Sequence, residues 1–410
     1  MSSGNVRVAA LLTMAGAIAM LAAGPAAAQI RVGSVDAAEG NEPLIYGQRT
    51  GDDLGQRIVL GDIDGDGTLD IVAGAPNYDG TASDRRLAGA VYVFYGDGHP
   101  FEPVRDLGDG AEADLIITGA SEDDALGDRL AVGDLDGDGT DDLILGMPGG
   151  AGPEGVDADG DGTVEEDGLR NRGEVVVLFG GVDRASPFDL SRPDRAKIRA
   201  DAWFYGPDGS DGLGSSLAVG DVDGDGQLDL LLGARGGDGP AGDRTNAGEL
   251  HVILGSQFDW AGCPLEGGDP CERNLRSQPG DVLVYGPSYD WDADGTINEF
   301  GDERAELGRT IASGDLTNDG LDDTAIQLRN ERGFTGDKAR AGQVAVIHGD
   351  ASLPATIDFN DAGVPDLRIH GAEAGDVIGD ALDFDDFDGD GVDDVVIGIS
   401  FADDADDDGD

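Results

Sequence analysis

One segment recurs five times in this chain with no drift in its internal spacing, and repetition of that fidelity decides an architecture before any single element does. The copies read LGQRIVLGDIDGDGTLDIVAGAP from Leu54, LGDRLAVGDLDGDGTDDLILGMP from Leu126, LGSSLAVGDVDGDGQLDLLLGAR from Leu213, LGRTIASGDLTNDGLDDTAIQL from Leu307 and IGDALDFDDFDGDGVDDVVIGIS from Ile378. The first glycine of each (Gly55, Gly127, Gly214, Gly308, Gly379) stands seven residues before the first loop aspartate (Asp62, Asp134, Asp221, Asp315, Asp386). Twelve residues further on comes Gly74, Gly146, Gly233, Gln327 or Gly398. An upstream glycine follows an apolar triplet (Gly47, Gly119, Gly206, Gly286, Gly371), and a downstream one ends a GAVYVFYG-like run (Gly96, Gly180, Gly255, Gly349). Gln327 breaks the glycine pattern, so the fourth copy is expected to be the least regular.

Each copy contains four short runs rich in Val, Ile, Leu and Tyr, bounded by Gly and Asp. In the first these are Leu44 to Tyr46, Gln56 to Gly61, Leu69 to Ala73 and Ala90 to Tyr95. Such runs are strands rather than helices, and no amphipathic helix of three turns is present. Four strands per copy predict an all-β chain: a β-propeller of four-stranded blades, in which each sheet buries its faces only against its neighbours. Five repeats are visible, at about 44–96, 114–180, 203–255, 282–349 and 367–410, within a region spanning 29–410.

The chemistry lies in a nine-residue loop, DxDGDGxxD. It supplies Asp62, Asp64, Asp66 and Asp70; Asp134, Asp136, Asp138 and Asp142; Asp221, Asp223, Asp225 and Asp229; and Asp386, Asp388, Asp390 and Asp394. The fourth copy has Asp315, Thr317, Asp319 and Asp323. Carboxylates at positions 1, 3 and 5 converge when the loop coils. Glycine at position 6 allows the sharp turn, and the carbonyl of position 7 (Thr68, Thr140, Gln227, Leu321, Val392) can add an oxygen. An all-oxygen, highly charged ligand set suits Ca²⁺, whereas a transition metal would call for His or Cys. An EF-hand would need a glutamate at position 12, but that position holds Ala73, Leu145, Leu232, Ile326 and Ile397, each inside a strand-like run. Solvated acidic turns without metal would leave the same carboxylates repelling one another in every copy. About five Ca²⁺ are therefore expected.

At these motifs the chain resembles the FG-GAP repeats of the integrin α-subunit head, with LG or IG standing where the family has FG and GAP intact only at Gly74-Ala75-Pro76. The resemblance implies a β-propeller, usually of seven blades, with Ca²⁺ held in a β-hairpin at the matching positions. The fifth copy lacks its next strand before Asp410. Either the sequence is a fragment of a six- or seven-bladed ring, or Ile30 to Val32 closes the last sheet.

Two inserted acidic loops have similar spacing: Asp157, Asp159, Asp161 and Glu165, and Asp290, Asp292, Asp294 and Asn298. They bind Ca²⁺, raising the total to about seven, or are ordinary solvated loops. Residues 1–28 read as a secretory signal, with Arg7 as the only charge, an apolar stretch from Val8 to Ala23 and cleavage after Ala28. A membrane anchor is the alternative reading. The mature chain is expected to be secreted, periplasmic or on the cell surface. Cys263 and Cys271, in CPLEGGDPC, are expected to pair in an oxidising compartment, the alternatives being two free thiols or half a metal site.

A net charge of −59, from 85 acidic and 26 basic residues, disfavours nucleic acid and anionic lipid as partners, and no later segment is apolar enough for membrane insertion. Low hydrophobicity with such charge can mean disorder, but the apolar residues fall in register in short runs. Five divalent cations offset only a small part of the charge. The remainder suggests adaptation to salt, a hypothesis that fails if stability at saturating calcium does not rise with NaCl. The four histidines, His99, His251, His348 and His370, lie in strands and a turn, and none has a nucleophile beside it. The expectation is a non-enzymatic adhesion or interaction module for an extracellular protein or glycan. Its contact surface would lie on the insertions, the loop tied by Cys263 and Cys271 and the stretches around Trp260 and Trp291, while Trp203 would pack between blades. The alternative is the scaffold of a secreted carbohydrate-active enzyme or a lectin.

Overall fold

The computed structural model describes residues 9–11, 44–49, 51–80, 85–96, 104–109, 112–151, 171–182, 184, 186–190, 200–263, 271–287, 305–330 and 340–401. Among these the chain is a succession of antiparallel sheets with only three single-turn 3₁₀ segments, so the all-β propeller architecture read from the repeats is what the chain adopts. No described helix is long and apolar enough to cross a membrane.

The first sheet pairs Ile58–Gly61, Asp70–Ala75, Ala90–Phe94 and Leu115–Thr118 in order. The second uses Arg129–Gly133, Asp142–Met147, Glu174–Leu178 and Ala202–Tyr205. The third uses Leu213–Gly220, Asp229–Ala234, Glu249–Ile253 and Val282–Tyr285. The fourth uses Ile311–Gly314, Asp323–Leu328, Gln343–Ile347 and Leu367–His370. Ile378–Asp385 and Asp394–Ile399 open a fifth, where Ala9–Leu11 lies parallel to Asp394–Ile399. That short strand falls inside the segment read as a leader, while Ile30 to Val32 lie outside the described residues.

This grouping runs one strand out of phase with the sequence copies. Leu44–Tyr46, read as the first strand of copy one, pairs instead with Val104–Asp106, and the first sheet takes its fourth strand from the triplet that precedes copy two. The reason is geometric: after its third strand the chain returns along the outer edge of the same sheet before it enters the next. A fifth strand, absent from the sequence reading, then adds in parallel. Phe188–Asp189 joins the first sheet, Cys271–Asn274 the second and Thr356–Asp358 the third.

Arginines fasten these added strands. Arg85 bonds the Gly119 carbonyl at 2.5 Å and both oxygens of Asp189 at 2.7 and 3.0 Å. Arg244 repeats the pattern with Gly286 at 3.1 Å and Asp358 at 2.8 and 2.6 Å. In the second sheet Arg172 reaches Gly206 and Asn274 from a different loop position.

The core lies between sheets. One apolar cluster joins Val72 and Val91 of the first sheet to Leu143, Leu145 and Trp203 of the second; another joins Val175 and Phe204 to Leu230 and Leu232; a third joins Leu231 and Val252 to Ile326 and Ala345. Covered on both faces, the second strands of the first four sheets are buried throughout, which is why those of the first three read as continuous apolar runs after their leading aspartate. Trp203 is fully buried with its indole N–H on Glu174, as expected of a residue packed between blades.

Neighbouring sheets touch at paired glycines. A Cβ on Gly74 would lie 2.0 Å from the Gly127 carbonyl oxygen, and one on Gly233 would lie 2.1 Å from that of Gly308. Where Gln327 replaces the glycine, its amide donates to the Ile378 carbonyl at 3.0 Å and to Asp380 at 2.8 Å. The fourth sheet stays in register, and the irregularities fall in the third and fifth, between Leu213 and Ser216 and between Ile378 and Leu382. Two residues before the first residue of the LG or IG pair an aspartate is buried in four of the five copies, as Asp52, Asp124, Asp211 and Asp376; the fourth copy has Ala305 there.

Candidate metal centres

Each DxDGDGxxD loop is the hairpin between the first two strands of its sheet, and its fixed spacing follows from the bonds that close it. In the first four loops the position-9 aspartate is an internal strut. Asp70, Asp142, Asp229 and Asp323 are fully buried. Asp142 accepts the Leu135 and Gly180 N–H groups at 2.8 and 2.9 Å, and Asp229 accepts those of Val222 and Gly255 at 2.9 and 2.8 Å. The downstream glycine marker thus serves to bring an N–H against this carboxylate: a Cβ on Gly180 would lie 2.4 Å from the Asp141 carbonyl oxygen. Burial pushes the Asp142 carboxyl up to about 7, with the charges of Asp136 and Asp134 adding to the effect; burial likewise raises Asp229 to about 7, with Asp223 and Asp221 adding.

Around this strut the loop amides converge on the outer carboxylates. Position 1 accepts from position 6, as Gly67 to Asp62, Gly139 to Asp134, Gly226 to Asp221 and Gly391 to Asp386, all at 2.8 to 2.9 Å. Position 5 accepts from position 7, as Thr68 to Asp66, Thr140 to Asp138, Gln227 to Asp225 and Val392 to Asp390. Four groups of three carboxylates result, with ligand atoms within 4.8 Å of one another: Asp62, Asp64 and Asp66; Asp134, Asp136 and Asp142; Asp221, Asp223 and Asp225; Asp386, Asp388 and Asp394. Asp62 Oδ1 is buried without a hydrogen-bond partner, which leaves a carboxylate oxygen with no donor to satisfy it. Burial raises Asp136 and Asp223, and the charges of their loop neighbours add to it; an oxygen-binding cation would satisfy the bare oxygen of Asp62 and relieve that repulsion.

The fourth loop closes in the same way through Asp315 and Asp319, with Gly320 and Leu321 donating at 2.9 and 3.1 Å. Its position-9 carboxylate, Asp323, accepts from Thr317 rather than from residue 316, whose N–H turns to the Gly314 carbonyl. With threonine at position 3, Asp315, Asp319 and Asp323 do not form a convergent trio among the described residues. The inserted loops, Asp157 to Glu165 and Asp290 to Asn298, lie outside the described residues, as does Trp291. Cys263 and Cys271 form a disulfide.

Trp260 is not available to a partner. It is 3% exposed and packs against Phe179, Phe204 and Phe258. Apolar neighbours on both sides of its strand-flanking turn draw it inward, so the sequence expectation of a contact surface there is corrected.

Residues 54–94 and 213–253 match the family model of the FG-GAP repeat. The chain carries FG-GAP repeats. Both matched stretches begin at the LG pair and end in the third strand of a sheet, so each encloses one aspartate loop. Among relatives, integrin alpha-IIb of Mus musculus is 33% identical over 202 residues, covering 48% of this chain and 16% of that protein. Phosphatidylinositol-glycan-specific phospholipase D of Homo sapiens is 28% identical over 276 residues, covering 62% of this chain and 29% of that one. The chain therefore spans less than a third of the length of either. The solved rhamnogalacturonan lyase PL11 of Bacillus licheniformis superposes with a TM-score of 0.31 at 14% identity, over 75% of this chain and 49% of that one.

Sequence reasoning missed the residue at position 8. Asp141 accepts the Asp62 N–H at 2.9 Å, Asp322 that of Asp221 at 2.8 Å and Asp393 that of Asp315 at 3.0 Å, so each reaches into the loop of the preceding copy. The available signal was the alternation of Leu and Asp at this position: Leu69 and Leu228 in the first and third copies, and Asp in the others.

Proposed function

We propose that this chain is an extracytoplasmic, calcium-loaded interaction module whose FG-GAP loops each hold one Ca²⁺, with about five ions per described unit. The observation that carries this reading is the set of carboxylate trios within 4.8 Å at the tips of four of the five hairpins, one of them with an unsatisfied buried oxygen. Oxygen-only ligands from a flexible loop favour Ca²⁺ over Mg²⁺, which holds its waters and demands a stricter octahedron. Positions 1, 3 and 5 supply charge, joined in the second and fifth loops by position 9, which also fixes the hairpin in the first four, and the position-7 carbonyl completes the set.

Export by a leader cleaved after Ala28 accords with the Cys263–Cys271 disulfide, a bond that persists in oxidising compartments. Integrin alpha relatives favour an extracellular protein or glycan as the partner, and we assign the chain no catalytic residues. Metal counting on the purified chain, paired with melting in calcium and in chelator, tests the reading. Four or five bound Ca²⁺ and a higher melting temperature in calcium are expected; a metal-free chain that melts identically in both refutes it.

A further inference from the structure

We propose that Asp141, Asp322 and Asp393 are positioning residues that couple cation binding between neighbouring hairpins. They join the first loop to the second and the third to the fourth and fifth, with a break between the second and third at Leu228. The inference rests on the reading of the loops as cation sites and concerns residues that are not themselves ligands.

Asp141 holds Asp62 at two points: its carboxylate accepts the Asp62 N–H at 2.9 Å, and its own N–H donates to the Asp62 carbonyl at 3.0 Å. Asp322 does the same to Asp221, at 2.8 and 2.9 Å. Further bonds from each downstream copy reach position 2, with Gly181 N–H on the Ile63 carbonyl at 2.8 Å and Asp350 N–H on that of Val222 at 3.1 Å. Asp393 accepts the Asp315 N–H at 3.0 Å. In every case the residue held is position 1, the first carboxylate of the loop. The residue that holds it sits between positions 7 and 9 of the next loop. A cation that fixes Thr140 and Asp142 therefore also fixes Asp141, and lowers the cost of ordering Asp62 around a second cation.

The second loop lacks this connection. Leu228 takes the same place in the fold: its Cδ1 lies 3.1 Å from a Cβ built on Gly133, where the carboxylates of Asp141, Asp322 and Asp393 lie 3.0, 2.7 and 2.9 Å from those built on Gly61, Gly220 and Gly314. Leucine offers no acceptor, and among the described residues no hydrogen bond from the third copy reaches Asp134 or Leu135. A second observation agrees. Gly65 of the first loop is touched by Thr140 and Gly224 of the third by Leu321, each at 3.0 Å from a built Cβ, whereas nothing approaches Gly137 of the second within 4 Å.

Coupling of this kind is reciprocal and typically changes affinity 5- to 150-fold. The test is amide exchange by mass spectrometry on the full chain across a calcium titration, reading the midpoint of protection for each loop. Asp136→Ala, which disables the second loop, should raise the midpoint of the first at least about fivefold and leave that of the third unchanged. In an Asp141→Leu background the same substitution should no longer move the first loop, while Asp141→Asn, which keeps an acceptor oxygen, should restore the shift. A first-loop midpoint indifferent to Asp136→Ala, or a third-loop midpoint that moves equally, overturns the coupling. If no loop of the unmodified chain gains protection with calcium, the cation reading itself falls, and the coupling with it.

Discussion

Replacing Asp142 by alanine separates the two tasks that the loop aspartates perform. Asp142 is fully buried, and its two oxygens accept the Leu135 and Gly180 N–H groups at 2.8 and 2.9 Å. Alanine strands both donors away from water, at about 1–3 kcal/mol each, so the second sheet should lose about 2–6 kcal/mol. Asp138 stands in the same loop, but its contact with the Thr140 N–H is solvent-exposed, and water can take its place. In excess chelator Asp138→Ala should stay within about 0.5 kcal/mol of the parent, the range of ordinary surface changes. Denaturant unfolding followed by tryptophan fluorescence suits the question, because Trp203 belongs to the affected sheet and is bonded to Glu174. With calcium present, both variants should fall below the parent. If Asp142→Ala matches the parent in chelator, position 9 is not a strut and its burial has been misread.

Three further outcomes are expected. Arg244→Ala removes two bonds to Asp358 and one to the Gly286 carbonyl, so Thr356–Asp358 should exchange its amides faster, by an opening free energy lowered about 2 kcal/mol; unchanged exchange would count against the clamp. Burial, with the charge of Glu249 adding, pushes Asp211 up to about 8, so the folded chain binds this proton more tightly than the unfolded one. The contribution is complete below about pH 4 and is lost as pH rises towards 8, with a slope of up to about 1.4 kcal/mol per pH unit; Asp211→Asn should flatten that part of a stability–pH profile. Gly233→Ala places a methyl 2.1 Å from the Gly308 carbonyl oxygen, so two sheets must separate; a melting temperature equal to the parent's would refute the interlock, for which about 1–3 kcal/mol is expected.

The blades and the hairpin loops were legible because both depend on local pattern: apolar runs of strand length, and aspartates at a spacing that only a coiled loop brings together. What escaped the sequence was long-range. Phe188–Asp189 is too short to show periodicity, and its place on the first sheet depends on Arg85, more than a hundred residues earlier. Leu44–Tyr46 precedes the first copy in sequence yet pairs with Val104–Asp106, because adjacency in sequence is not adjacency in a sheet. Trp260 looked like an exposed aromatic because its neighbours Phe179 and Phe204 come from distant strands. Among the loop residues, position 9 looked equivalent to positions 1, 3 and 5 in charge, and only burial distinguishes it. Asp141 was one acidic residue among many until its distance to Asp62 was known.

The parallel strand that finishes each of the first three sheets also governs the order in which the molecule can be completed. The first sheet draws on residues from Ile58 to Asp189, the second from Arg129 to Asn274 and the third from Leu213 to Asp358, so each span begins before the previous one has ended. During synthesis no sheet is finished when its own copy has emerged, because its last strand is still being translated one copy later. A cut or permutation at any copy boundary in this region would sever at least one of these overlaps. The copies are thus dovetailed rather than stacked, and a single one excised from its neighbours would lack an edge.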